Sequence, residues 1–112
     1  MFVDEVLPLT EGFFYILLVL YSAPSHGYAI MQDVERMSGN RVRIGAGTLY
    51  TALGALLKKG LIESIPAPQG ADPRRKMYAI TEVGQSVLGS EVERLRTMVS
   101  VAETILGAER RS

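Results

Sequence analysis

Between Arg36 and Lys76 the chain gathers cationic side chains in three groups: Arg36, Arg41 and Arg43; Lys58 and Lys59; Arg74, Arg75 and Lys76. The same span holds two acids, Glu63 and Asp72, an excess of six positive charges. Guanidinium and ammonium groups set in series do electrostatic chemistry. They neutralise phosphate oxygens and follow a polyanionic backbone. The net charge of the 112-residue chain is nevertheless zero, because acids dominate outside this span. A basic middle between acidic ends polarises the molecule, so that one face attracts phosphate while the rest is repelled. Scattered solvating charges would give the same composition, and the elements that carry the residues decide between the two readings.

Covalent chemistry has little to work with. Cysteine is absent, which excludes disulfides and thiolate metal sites and fits a reducing compartment. His26 is the only histidine, and one histidine without cysteine does not make a usual zinc site. It suits capping or packing at a helix start, with pH sensing as the alternative. No Ser/His/Asp set assembles around it, and no glycine-rich loop ends in Lys-Ser or Lys-Thr. Neither an enzyme nor a bound cofactor or metal is expected. The remaining classes are a nucleic-acid binder and a protein–protein interaction module without DNA binding on the same frame.

The elements follow from periodicity and punctuation. Thr10 and Glu11 open a helix that runs to about Ser22, and Pro24 stops it. Its apolar run, Phe13 to Tyr21, is far short of a membrane span and predicts a fully buried core helix. Ser25 is the N-cap candidate for a second helix over 26–37, with Tyr28, Ile30, Met31, Val34 and Met37 at helical spacing. Gly39 suits a left-handed C-cap. A third helix is predicted over 46–59, with a core stripe of Leu49, Ala52, Leu53, Leu56 and Leu57 and with Gly60 as its stop. Strands over 61–65 and 76–80 flank a proline-rich loop and predict a β-hairpin. Thr81 caps a long last helix, with Glu82 in its first turn. The fold class expected is mainly α with a small β-hairpin: a winged helix-turn-helix plus a long C-terminal dimerisation helix. Residues 1–80 would form the DNA-binding domain, with the recognition helix over 46–59 and the wing over 61–80. Residues 81–108 would form the dimerisation helix of the same compact unit.

On a wheel of 100° per residue the third helix separates its leucines from Thr48, Thr51, Gly54, Ala55 and Lys58, with Tyr50 at the flank. A small, hydroxyl-bearing face without acids suits close approach to a major groove. An ordinary amphipathic surface helix is the alternative, although such helices usually expose more Glu and Lys. Gly45 and Gly47 let backbone approach a phosphate at the helix start. Arg74, Arg75 and Lys76 sit where the wing enters its second strand, and Arg41 and Arg43 in the turn before the recognition helix. These residues are the expected DNA contacts.

The last helix carries Leu88, Val92, Leu95, Val99, Ala102 and Leu106, spaced alternately by four and three residues. That is a heptad seam, and a second copy of the chain is its simplest cover, with intramolecular packing as the alternative. A dimer would match the two-fold symmetry of a palindromic operator. No signal peptide is expected from the acidic start of the chain, and a cytoplasmic location without membrane contact follows.

Several of these segments together resemble one family. Gly47-Thr48-Leu49-Tyr50 precedes Leu53, Leu56 and Lys59-Gly60-Leu61-Ile62-Glu63. His26-Gly27-Tyr28 lies before them, and Arg74-Arg75-Lys76-Met77-Tyr78 and Thr81-Glu82 with Gly84 lie after. In order and spacing, from about Leu9 to Leu106, the chain resembles PadR-type transcriptional regulators of the compact branch with a single C-terminal helix. The resemblance implies a winged-helix repressor that binds double-stranded DNA, dimerises through that helix and is released by a small molecule. It raises a phosphate-binding role for Tyr50. It also implies that a flat aromatic or lipophilic effector could enter the dimer interface near Phe13, Phe14, Met98 and Val101, which otherwise read as core. Tryptophan is absent, so only Phe and Tyr could stack on it.

Overall fold

The last helix explains the shape of the molecule. In the computed structural model it spans Glu82–Arg111, so its axis is about 45 Å long, and the molecule extends 62 × 32 × 23 Å. The structure describes residues 6–72 and 75–111, the latter with side chains to Gly107. In chain order the elements are α1 (Glu11–Ser22), β1 (Ser25–His26), α2 (Gly27–Met37), α3 (Ala46–Lys58), β2 (Ile62–Ile65), β3 (Met77–Ile80) and α4 (Glu82–Arg111). This is a winged helix followed by one long helix, as the sequence predicts.

The core is where α1, α2, α3, the sheet and the first turns of α4 meet. Ile16, Leu17 and Leu20 from α1 pack with Ile30, Val34, Leu49, Leu53, Leu56, Leu61, Tyr78 and Val87. One face of each helix is thereby removed from water, which is the main favourable term in folding. Contrary to the expectation of a fully buried helix, the 13–21 run is covered on one side only. Tyr21 is exposed, and Phe13, Phe14, Tyr15 and Leu18 are half-buried. Tyr28, Met37 and Leu57 also face outward from stripes read as core.

The sheet has three strands rather than the two of a simple hairpin. Its order is β1-β3-β2, antiparallel throughout. Ser25 pairs with Tyr78 and His26 with Met77, so the start of α2 is tied to the root of the wing. Ser25 is consequently strand, and His26 is the N-cap of α2: its Nδ1 accepts a hydrogen bond from the Ala29 N–H at 3.4 Å.

The predicted stops hold. Gly39 and Gly60 adopt positive φ after α2 and α3. Thr81 Oγ1 accepts from the Gly84 N–H at 3.0 Å and donates to the Gly60 carbonyl at 2.7 Å, which joins the start of α4 to the end of α3. Gly84 is pressed against this junction. A Cβ there would stand 2.1 Å from the Leu61 carbonyl oxygen.

Candidate nucleic-acid interface

Buried Leu49, Leu53 and Leu56 fix the rotation of α3 and leave Thr48, Thr51, Gly54 and Lys58 exposed on its other side. No acid occurs in the helix. Gly45 is its N-cap and offers no side-chain capping bond, and the space around Gly45, Gly47 and Gly54 is open. The outward face is shallow, bears hydroxyls and ends in a cation, so another surface can approach it closely.

Tyr50 leaves the flank of this face and crosses towards the beginning of α2. Its ring is 56% exposed, yet its far end lies against Gly27. It also lies near Tyr78: burial pushes the Tyr78 phenol above its usual range, and the Tyr50 phenol adds to that shift. The three elements enclose a cleft of about 590 Å³ lined by His26, Gly27, Tyr28, Tyr50, Asp72, Arg75, Lys76 and Tyr78. Aromatic hydroxyls and two exposed cations thus converge beside the outward face of α3. A phosphodiester group suits such a lining better than an apolar ligand does.

The predicted contacts do not all share this place. Thr48, Thr51 and Lys58 lie on the α3 face, while Tyr50, Arg75 and Lys76 line the cleft. Arg74 lies outside the described residues. Arg41 and Arg43 are exposed in the turn ahead of α3, but Arg43 Nε is 3.3 Å from Glu35 Oε1 and Arg36 is 2.6 Å from Asp33. Acids of α2 therefore partly neutralise this first basic group.

The model of the PadR-like transcriptional regulator family matches residues 16–90, which include this whole surface. The chain belongs to that family. It is 31% identical over 78 residues to a Lysinibacillus sphaericus protein called "Uncharacterized protein X", covering 70% of this chain and 72% of that one. It is 36% identical over 76 residues to an uncharacterised 37.1 kDa protein in transposon TN4556 of Streptomyces fradiae, covering 68% of this chain. The matched part is 20% of that longer protein. A transcriptional regulator from Clostridium thermocellum superimposes with a TM-score of 0.71 at 27% identity, over 83% of this chain and 87% of that one. A PadR family transcription regulator from Clostridium difficile R20291 has the same fold, with a TM-score of 0.73 at 24% identity over 87% and 99% of the two chains.

This PadR-like chain has a second surface, along α4. The heptad stripe divides. Leu88 belongs to the chain's own core at 5% exposure, so the chain itself already covers most of this position of the expected seam. Val92 is half-buried, and Leu95 marks the change to open surface. Met98, Val99, Val101, Ile105 and Leu106 are 49–56% exposed, and Ala102 is exposed among them. A cleft of about 400 Å³ runs beside Phe14, Val92, Leu95, Arg96, Val99, Ser100 and Glu103. It continues through Val92 and Arg96 into another bounded by Leu18, Tyr21 and Leu88. Of the four residues expected to line an effector site, only Phe14 borders these clefts. Phe13 packs against the core, and Met98 and Val101 lie round the helix from Phe14, where the Met98 sulfur accepts from Arg94 Nη1 at 3.1 Å. Among the described residues, no helix is long and apolar enough to cross a membrane.

Glu91 is a residue that sequence reasoning missed. It is 1% exposed, it pairs with Arg94 at 2.5 Å, and its Oε2 accepts from the Leu9 N–H at 2.7 Å. The Arg94 guanidinium and then the Leu9 N–H hold its carboxyl below the usual range, against the opposing effect of burial. An acid between two seam positions normally reads as solvated, and nothing in the sequence points to a partner 82 positions away.

Proposed function

We propose that this PadR-like chain is a sequence-specific DNA-binding repressor that acts as a homodimer. The observation that carries the reading is the acid-free outward face of α3 set beside a cleft lined by Tyr50, Arg75 and Lys76. In this reading Thr48 and Thr51 meet base edges. Tyr50, Lys58, Arg75 and Lys76 meet phosphates, with Arg74, next to Arg75 in sequence, as a further contact and with Arg41 and Arg43 as secondary ones. Residues up to 80 form the DNA-reading unit, and α4 joins two copies.

The exposed apolar strip from Leu95 to Leu106 supports the dimer, because a strip of that length in water costs free energy that a second copy recovers. Val92, Leu95, Val99, Ala102 and Leu106 form the contact in this arrangement, without Leu88. The effector in our reading is a small lipophilic or aromatic molecule held beside Phe14, Val92, Leu95 and Val99, in a cleft whose volume falls in the range of small-molecule sites.

The test is fluorescence anisotropy on a palindrome-containing fragment of the DNA upstream of its own coding sequence, over a salt series. Saturable binding that weakens steeply with salt, and much weaker binding to scrambled DNA, is the expected result. Salt-insensitive or absent binding, with and without lipophilic aromatic compounds, would favour the protein-docking module instead.

A further inference from the structure

Gly27 and Tyr50 come from different helices, and their contact is the closest that any described glycine makes with an exposed side chain. A Cβ built on Gly27 would stand 2.6 Å from the Tyr50 hydroxyl, 3.0 Å from Cζ and 3.3 Å from Cε1. The three nearest atoms all belong to this one ring. Gly27 itself is buried, in the first turn of α2, and its φ is not in the left-handed region, so backbone conformation does not demand glycine there. What demands it is the space taken by the phenol.

We infer that Gly27 is a positioning residue: by having no side chain it holds the Tyr50 hydroxyl in the cleft beside Arg75 and Lys76, where the phenol donates to a DNA phosphate. The inference rests on the DNA-binding reading above and deepens it. Three observations support it. Tyr50 is more than half exposed, so among the described residues its place depends chiefly on what lies beneath it. Beneath it are Gly27 and the Tyr78 side, which β1 keeps together by pairing Ser25 with Tyr78. Arg75 and Lys76 line the same cleft as Tyr50, with Asp72 as the one acid among the lining residues, and this excess of positive charge favours an anion as the third partner.

Any side chain at position 27 would push the end of Tyr50 outward. The ring is exposed and can swing, so the fold tolerates the change while the hydroxyl leaves the cleft. A contact through a neutral hydroxyl displaces no counterion, unlike one through arginine. Loss of the Tyr50 contact should therefore weaken binding without changing its salt dependence.

The experiment is a cycle of four full-length proteins: wild type, Gly27→Ala, Tyr50→Ala and the double variant. Affinity for the operator fragment is read by anisotropy across salt, and folding is read by thermal unfolding. Each single variant should lose about tenfold in affinity with an unaltered salt slope. The double variant should bind no worse than Tyr50→Ala alone, because nothing remains for the methyl group to displace. It should also melt at or above the temperature of Tyr50→Ala, since alanine favours helix over glycine. That clause keeps the test open if Gly27→Ala alone does not fold. The inference is overturned if Gly27→Ala binds like wild type, if the two losses multiply, or if Gly27→Ala lowers the salt slope. A wild-type protein that shows no salt-dependent binding would overturn the DNA-binding reading as well, which separates the two failures.

Discussion

Among the glycines Gly84 has the least room for a side chain, and this makes a prediction with a sign. Gly84→Ala would place a methyl carbon 2.1 Å from the Leu61 carbonyl oxygen and 2.8 Å from Ile80 Cγ1. Carbon and carbonyl oxygen approach to about 3.3 Å in favourable contacts, so the first turn of α4 must retreat by roughly 1.2 Å. The neighbour is backbone and cannot swing aside. That retreat pulls on the bonds around it: Thr81 N–H to the Leu61 carbonyl at 3.0 Å, Thr81 Oγ1 to the Gly60 carbonyl, and the Gly84 N–H to Thr81 Oγ1. Overpacking of this kind costs about 1–3 kcal/mol, and loss of the cap about 1 kcal/mol more. The better helix propensity of alanine offsets about 1 kcal/mol, leaving a net loss of about 1–3 kcal/mol. Gly89→Ala is the control. It lies on the same helix with no atom within 4 Å of its added Cβ, and it should gain about 1 kcal/mol. Urea unfolding at one fixed protomer concentration measures both, since a dimer's midpoint moves with concentration. The reasoning fails if Gly84→Ala is as stable as wild type, or if the two substitutions shift the midpoint in the same direction.

Other consequences follow from the same structure. Glu91 has a depressed folded-state pKa, so its stabilisation is complete above the ordinary carboxyl value and is lost as pH falls through the depressed one. Glu91→Gln should therefore cost about 1–3 kcal/mol of stability at pH 7 and less at pH 3, which lies below the ordinary carboxyl value. An equal loss at both pH values would remove the carboxylate from the explanation. Leu95→Asp places a charge where the exposed strip of α4 begins. We expect a folded monomer by sedimentation and no operator binding, and tight binding by such a monomer would contradict the dimer reading. Arg75→Ala with Lys76→Ala should weaken binding to all sequences alike and reduce the salt slope of the dimer by about 4, about 2 for each protomer, whereas Thr51→Val should alter base preference. A change of preference from the wing pair with an unaltered slope would reverse those roles.

Much of the frame is legible in the residues because its signals are local. Thr81 with Glu82, Gly39 and Gly60 each mark an end by their own chemistry, and the three buried leucines of α3 repeat with the helical period. Strand β1 is not legible: two residues cannot show an alternating pattern, and Ser25 and His26 become strand only because Tyr78 and Met77 arrive beside them. Serine is also the commoner cap, so residue type favours Ser25 for the place that His26, itself suited to capping, takes. The run from Phe13 to Tyr21 has no polar break to mark an exposed face; the position of α4 decides which side is covered. The α4 stripe is an equally plain case. Leu88 and Leu95 hold equivalent positions in one repeat, and periodicity cannot say that the chain itself covers the first and leaves the second open. Gly27, Gly84 and Glu91 matter through atoms distant in sequence, so their types alone carry no signal.

The two-residue strand β1 has a wider consequence. By pairing with β3 it makes the root of the wing and the start of the helix-turn-helix a single rigid head. In a dimer joined through α4, neither reading element can then be retuned separately from the other. A molecule wedged against α4 would instead change the distance and tilt between two unaltered heads. Control of such a regulator would be a matter of gauge, like a pair of wheels moved along an axle: each half-site is still read correctly, but the two no longer fall on one DNA at once.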